Sequence, residues 1–359
     1  MKHLKHKQFK HRPLKQKQTG VALIMVLLIV AIVSVLATEM GGRLQLQIQR
    51  ASNIKQNNQA FWYAMGAEQL ARKSIKQLID EKGKVIHLDQ EWDEKFVYPI
   101  DGGGIQAQLV DMQSCFNLNA LKESGTSAVG TKNGTRPLLD DRKLAFKRLL
   151  EEVEPAIPSY NIDALRDSLV DWLDKNDNPS DYGAEDSEYE SKQFPYVAAN
   201  NYMLHKSELR LINGVEVPWL RALLKLVCVL PNDSLFKINV NTVTEENAAV
   251  LAAATGLALS DAASIIADRD SDGYQTTAEF LNDPIIKALK LNSDQAKWFD
   301  VTTSYFILHT KAQYNDATFA MKTLFKADKS KNVIVIRRDF SGFCPAGVTN
   351  WLVTIKFFN

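Results

Sequence analysis

Apolar residues fall into three patterns along this chain, and each pattern predicts a different element. From Val21 to Ala37 they run on as Val-Ala-Leu-Ile-Met-Val-Leu-Leu-Ile-Val-Ala-Ile-Val-Ser-Val-Leu-Ala, with no carboxylate before Glu39. With Thr38 to Met40 the run reaches about 20 residues, the length a helix needs to cross a hydrocarbon layer. Past Gly42 a helical period takes over. Phe61, Ala64, Ala67, Ala71, Ile75 and Leu78 recur three or four residues apart, which makes one apolar helix face, and Gly83 suits a C-cap.

Alternating and β-branched segments follow. Lys84–Leu88, Lys95–Ile100 and Ile105–Met112 read as strands, the last two joined by Asp101-Gly-Gly-Gly104, whose glycines supply the positive φ of a tight hairpin. Strands return over 301–313, 317–327, 332–338 and 350–358. Between them, 139–153, 161–175, 216–226, 244–255, 259–268 and 276–290 suit helices. The fold class this predicts is α+β: a long N-terminal helix packed on an antiparallel sheet, with a large inserted domain that is mainly helical. The divisions are a basic leader at 1–20, a transmembrane helix at 21–42 and a second helical stretch at 43–83. The β part comprises 84–120 and 300–359, and the insertion 121–299. About 180 residues suffice for a core of its own.

Hydrophobic residues at 45% and charged residues at 24% of the 359 exclude a mainly disordered chain and a many-span membrane protein. Charge changes the picture more. Residues 1–20 hold seven Lys/Arg and no acid, so the remainder carries 36 bases against 42 acids. An acidic body lacks the clustered cations of a general nucleic-acid binder. The basic flank should stay cytoplasmic, with everything after Met40 on the far side. A basic leader ending at Gly20, then Val21-Ala-Leu-Ile-Met25 opening an apolar run that merges into a long helix, resembles the type IV pilin-like proteins. That resemblance implies removal of residues 1–20 by prepilin peptidase between Gly20 and Val21, and methylation of the new N-terminus. Such proteins mostly carry Glu at the fifth mature position; this chain has Met25.

Further motifs narrow the family. Cys115-Phe-Asn-Leu-Asn-Ala-Leu121, Asp171-Trp-Leu-Asp-Lys-Asn-Asp-Asn-Pro179, Gly183-Ala-Glu-Asp-Ser-Glu-Tyr189, Asn200-Asn-Tyr-Met-Leu-His-Lys-Ser-Glu-Leu-Arg-Leu211 and Ile238-Asn-Val-Asn-Thr242 resemble the minor pseudopilin K family of the type II secretion system. The resemblance implies a pilin core with a helical insertion, held in the bacterial inner membrane by one span, its C-terminal domain in the periplasm. It implies assembly at the tip of a pseudopilus with minor pseudopilins I and J. The major pseudopilin and the inner-membrane secretion platform would be further partners. Two other functions are weighed against it: a membrane-anchored periplasmic hydrolase, and a DNA-binding competence factor on a pilin stem.

Enzymatic chemistry finds little support. His87, His205 and His309 are far apart in sequence and in no zinc spacing. Gly125-Thr-Ser-Ala-Val-Gly130-Thr-Lys132 lacks the Lys directly after the second Gly that a phosphate loop requires. Ile238–Thr242 with the helices after it resembles helix–hairpin–helix DNA-binding modules, but Gly256-Leu-Ala258 lacks the second Gly. Residues 239–290 also carry three bases against eight acids, which repels phosphate.

Carboxylates offer the candidate chemistry. Residues 171–190 hold eight acids and one base, interleaved with Trp172, Leu173, Tyr182 and Tyr189, a composition that folds rather than trails as a tail. Folding crowds the carboxylates, and a hard cation with six to eight oxygen ligands relieves them. The family resemblance also implies a structural calcium here, with Asp174, Asp177, Glu185, Asp186 and Glu188 as candidate ligands. A weaker second candidate is Asp268, Asp270, Asp272 and Glu279, spaced as in an EF-hand loop with Gly273 at its sixth position. There Thr276-Thr-Ala-Glu279 equally reads as a capping box. Of three cysteines, Cys228 reads as a buried apolar thiol. Cys115 and Cys344 flank the predicted sheet and are the expected disulfide in an oxidising periplasm.

Overall fold

The computed structural model describes residues 20–82, 85–122, 138–328 and 332–340. The leader before Gly20, the C-cap at Gly83, the loop at 125–132, Cys344 and the strand expected at 350–358 lie outside the described residues.

Helix α1 runs Val21–Lys82 without interruption. Its first turn closes on Gly20, whose carbonyl accepts from the Ile24 amide at 3.2 Å. A hairpin follows: β1 Phe96–Ile100 and β2 Gly103–Asp111, turning through Asp101 and Gly102, the latter at φ +80°. The chain then passes through β3 Phe116–Asn117, α2 Leu138–Glu151, α3 Ser159–Leu173, the short α4 Asp186–Glu190 and α5 Val217–Leu226. Next come β4 Val227–Cys228, β5 Ile238–Asn239, α6 Ala248–Thr255, α7 Leu259–Ala267, α8 Thr277–Asn282 and α9 Pro284–Ala288. The described residues close with β6 Phe299–Asp300, β7 Tyr305–Tyr314, β8 Ala317–Ala327 and β9 Val333–Asp339.

The chain divides into two units, 1–58 and 59–359. In the first, side chains from Val21 to Lys55 are exposed, and the helix is long and apolar enough to cross a membrane. In the second, β1-β2-β7-β8-β9 form one antiparallel sheet. Asp111 at the end of β2 lies opposite Phe306 on β7, so the chain between them leaves the sheet and returns to it. Ala67, Ala71 and Ile75 pack one sheet face through Leu109, Phe306, Leu308 and Phe325; small residues let the helix approach closely. Within this apolar stripe Glu68 is fully buried. Arg338 of β9 donates to it at 2.6 and 2.8 Å, and Thr323 of β8 at 3.1 Å. Losing Arg338 would leave the buried carboxylate with Thr323 and, at 3.8 Å, Arg72 as its neighbours, a change that costs on the order of a few kcal/mol.

The helical part has a separate core, built on residues such as Phe146, Leu149, Leu165, Leu169, Leu223 and Leu251. Two short parallel pairings tie it to the sheet region, β3 with β4 and β5 with β6. A disulfide joins Cys115 to Cys228. This corrects the expected Cys115–Cys344 pair: the β3–β4 pairing brings together two segments 113 residues apart, so the apolar setting of Cys228 holds a bonded sulfur rather than a thiol. Val85–Leu88 form no ladder strand; the Ile86 amide bonds the Val301 carbonyl and its own carbonyl accepts from Asn239. The helix expected over 276–290 breaks at Asp283–Pro284, because proline opens a new helix and cannot continue the old one.

Candidate functional site

Helix α3 sets three carboxylates on one face by its period: Asp167, Asp171 and Asp174, all under one-tenth exposed. Asp167 is engaged by Arg166 at 2.7 and 2.8 Å. Asp171 accepts from the Ser180 amide at 3.0 Å and the Ser180 hydroxyl at 2.6 Å. Asp174 terminates the helix and accepts from the Asn176 amide and side chain at 3.0 and 2.8 Å. Lys122 donates to the Leu173 carbonyl beside it. The chain then doubles back past Gly183, which lies so close that a Cβ there would overlap Asp171 Oδ2.

This return places Glu185, immediately before α4, against the acidic end of α3. Glu185 is 4% exposed, and neither carboxylate oxygen has a hydrogen-bond partner. Burial pushes its pKa up to about 7, and the charges of Asp171, Asp174, Asp177 and Asp186 add to the rise. Burial also raises Asp171, against the bonds from Ser180. Asp177 is exposed and accepts from Asn200 Nδ2 at 3.2 Å, while the amide oxygen of Asn200 is buried without a partner. Asp186 accepts from the Ala198 amide at 2.8 Å. Glu188 is exposed on α4.

Four carboxylates thus act on one buried group. Of the candidate ligands, Asp174, Asp177 and Asp186 lie near enough for their charges to reach Glu185, and Glu188 is exposed. Asp171 and Asn200 were absent from the candidate ligands. The helical period through Asp167, Asp171 and Asp174 is a usable signal for the first; the second opens the Asn200–Leu211 motif, but that motif does not mark it as a ligand, and its left-handed φ of +45° is set by its loop. Among the described residues, no three His, Cys, Asp or Glu side chains already stand in metal-holding geometry. The donor set nonetheless fits a hard cation: unpartnered carboxylate oxygens of Glu185, neighbouring carboxylates and a free amide oxygen.

The second acid segment is built differently. Asp268, Asp270, Asp272 and Glu279 are all exposed. Asp268 ends α7. Glu279 accepts from the Gln275 amide at 2.7 Å while Thr276 accepts from the Glu279 amide at 3.1 Å, which is a helix cap. Gly273, at φ +66°, lies against Asn241, where an added Cβ would come within 2.6 Å.

The asparagine motifs are structural braces. Asn239 donates to the Ile86 carbonyl and to Asp111, each at 3.0 Å, and Thr242 donates to Asp111 at 2.7 Å. Asn241 bonds the Tyr274 backbone in both directions. Asn117 and Asn119 fasten the backbones of Met203, Leu230, Asp233 and Leu235. The segment resembling a DNA-binding module thus commits its amides to the inside of the fold.

Comparison with known proteins agrees with this architecture. Family models for protein K of the type II secretion system match residues 114–232 and 238–302. The type II secretion system protein K of Aeromonas hydrophila is 34% identical over 91% of this chain and 98% of its own length. That of Klebsiella pneumoniae is 32% identical over 90% and 97%. A chain of the solved GspK–GspI–GspJ complex of the enterotoxigenic Escherichia coli type 2 secretion system superposes with a TM-score of 0.71 at 26% identity, over 82% of this chain and all of that one. The pilin core with its helical insertion, and this degree of identity along nearly the whole chain, place the protein in the type II secretion system protein K family of minor pseudopilins.

Proposed function

We propose that this chain is the tip subunit of a periplasmic pseudopilus that exports folded proteins across the outer membrane, anchored in the inner membrane by α1 after cleavage between Gly20 and Val21. The observation that carries this reading is Met25 at the fifth position of the apolar run, on a pilin core that bears a bulky insertion. In a pilin-like fibre the N-terminal amine is buried among apolar helices, and an unpaired charge there costs at least a few kcal/mol. A fifth-position Glu on an incoming subunit pairs with the amine of the subunit above. Met25 offers no such partner, and only at the first position is there no amine above to satisfy. The solved relative occurs in a complex with GspI and GspJ, which supports I- and J-type pseudopilins as partners here, with the major pseudopilin and the secretion platform next. The test is co-expression of the full chain with both minor pseudopilins, purification in detergent and N-terminal sequencing. A one-to-one-to-one complex with Val21 as first residue is expected; failure of the three to co-purify, or a mature chain retaining Met1, contradicts the reading.

The acid pocket is given a structural calcium under the same reading. Glu185 would be its central ligand, with Asp171, Asp174, Asp177, Asp186 and the Asn200 amide oxygen around it. The cation would supply the countercharge that Glu185 lacks, fixing the return of the chain over α3.

A further inference from the structure

Strand alternation gives the sheet a second face, opposite α1. Since Leu308, Thr323 and Arg338 face the helix, their neighbours His309, Lys322 and Arg337 face the other way. The register sets His309 opposite Lys322 and Lys322 opposite Asp339. The insertion lies on this face at two places. At one, Asp233 meets the Lys326 ammonium at 3.1 Å and the Tyr305 hydroxyl, so the cation is matched. At the other, the insertion brings Lys206, beside His205, whose pKa is lowered by burial and by the charge of Arg337. Lys206 donates to the Leu224 carbonyl at 2.7 Å, and Arg337 donates to the Leu204 carbonyl.

Among the described residues one carboxylate, Asp339, pairs with this group, accepting from Arg337 at 3.1 Å and lying 3.8 Å from His205. Residues 329–331 and 341–359 contain lysines and no acid. The crowding is felt within the cluster. Burial and the charges of Lys322 and Arg337 hold Lys206 down to about 8, and burial with Lys322 and Lys206 takes His309 to about 4. The insertion around it has sixteen Lys/Arg against twenty-seven Asp/Glu over 138–299, so this seam is a local reversal of sign. Two exposed aliphatic side chains lie near it: Leu204, whose carbonyl accepts from Arg337, and Ile334, three residues before Arg337 on β9 and opposite Lys326.

We propose that this seam is a docking site for an acidic protein segment, one of whose carboxylates enters between Lys206, Lys322 and Arg337. A charge-assisted pair with arginine or lysine is the strong kind of hydrogen bond, and half-burial protects it from the screening that weakens exposed pairs. The aliphatic rim suits a segment that alternates acidic and apolar residues, and it gives a free anion nothing to hold.

The probe is a fluorescent peptide of alternating Glu and Leu, titrated against the full chain in detergent and followed by anisotropy. Saturable binding is expected, weakening at least about tenfold from about 0.05 M to about 0.5 M NaCl. Lys322→Gln should weaken it about tenfold, Lys322→Arg should retain it, and Lys326→Gln, whose lysine is matched by Asp233, should leave it unchanged. Circular dichroism melts establish that each variant is folded. No saturable binding, equal binding by Lys322→Gln, or displacement by inorganic phosphate as effective as by unlabelled peptide would each overturn the proposal.

Discussion

Two acid-rich segments of the insertion, 171–186 and 268–279, differ in what the fold does with their carboxylates. In the first, α3 and the return through Gly183 press Asp171, Asp174 and Glu185 below the surface, and Glu185 is left with two unpartnered oxygens. In the second, every acid is exposed, and the last of them, Glu279, serves a helix cap. Spacing alone favoured the second, which matches a calcium loop position by position. Burial favours the first. Exposed carboxylates are relieved by water, whereas a buried carboxylate without a donor needs a proton or a cation.

Substitution of the two glycines should sharpen this contrast most. Gly183→Ala forces a Cβ into Asp171 Oδ2, and overpacking of this kind costs about 1–3 kcal/mol or more; thermal melts should show that loss together with loss of any calcium response. Gly273→Ala meets Asn241 at positive φ and should also lower the melting temperature, yet leave the calcium response intact. Equal calcium responses in the two variants would erase the distinction between the segments.

The pH dependence is of comparable size. Glu185 binds its proton more tightly folded, with a pKa of about 7 against an ordinary 4.5. Without calcium its contribution to stability is therefore full below about 4.5 and is lost as pH rises through about 7, an effect on the order of 3 kcal/mol. In chelator, Glu185→Gln should gain on the unsubstituted chain as pH rises from about 5 to about 8. With calcium the dependence reverses in origin: protons compete with the metal, so affinity should fall below about pH 7. A Glu185→Gln difference that is flat across this range would show that Glu185 is solvated after all.

Smaller effects belong to the second segment. Thr276→Ala removes the cap of α8 and should cost about 1 kcal/mol, equally with and without calcium. Asp270→Asn with Asp272→Asn should change stability by less than about 0.5 kcal/mol, as exposed substitutions do.

Much of this fold was legible in sequence because it rests on local periods. The stripe expected from Phe61 to Leu78 buries from Ala64 onward, with Phe61 half-buried, and β8 occupies 317–327 as its alternation indicates. What was not legible depended on distant partners. Cys228 pairs with Cys115 through strands far apart in sequence, and Glu68 looks like a surface residue until Arg338 arrives from β9. Ile86 has the pattern of a strand, but its carbonyl is taken by a side chain, Asn239. In the pocket, the acid-rich segment is readable, but Asp171 is missed and Glu188 is over-counted, because the return at Gly183 buries Glu185 against α3 and leaves Glu188 in solvent.

A calcium titration of the full chain, followed by its melting temperature in the unsubstituted protein and in Glu185→Gln, is the decisive measurement for a cation held by Glu185. A cation bound only by the folded state adds about 2.7 kcal/mol at a hundredfold excess over Kd. That stabilisation is expected for the unsubstituted chain, and its loss is expected in Glu185→Gln. An undiminished response in Glu185→Gln, together with its loss in Asp268→Asn with Asp270→Asn, would contradict it and move the metal to the exposed loop.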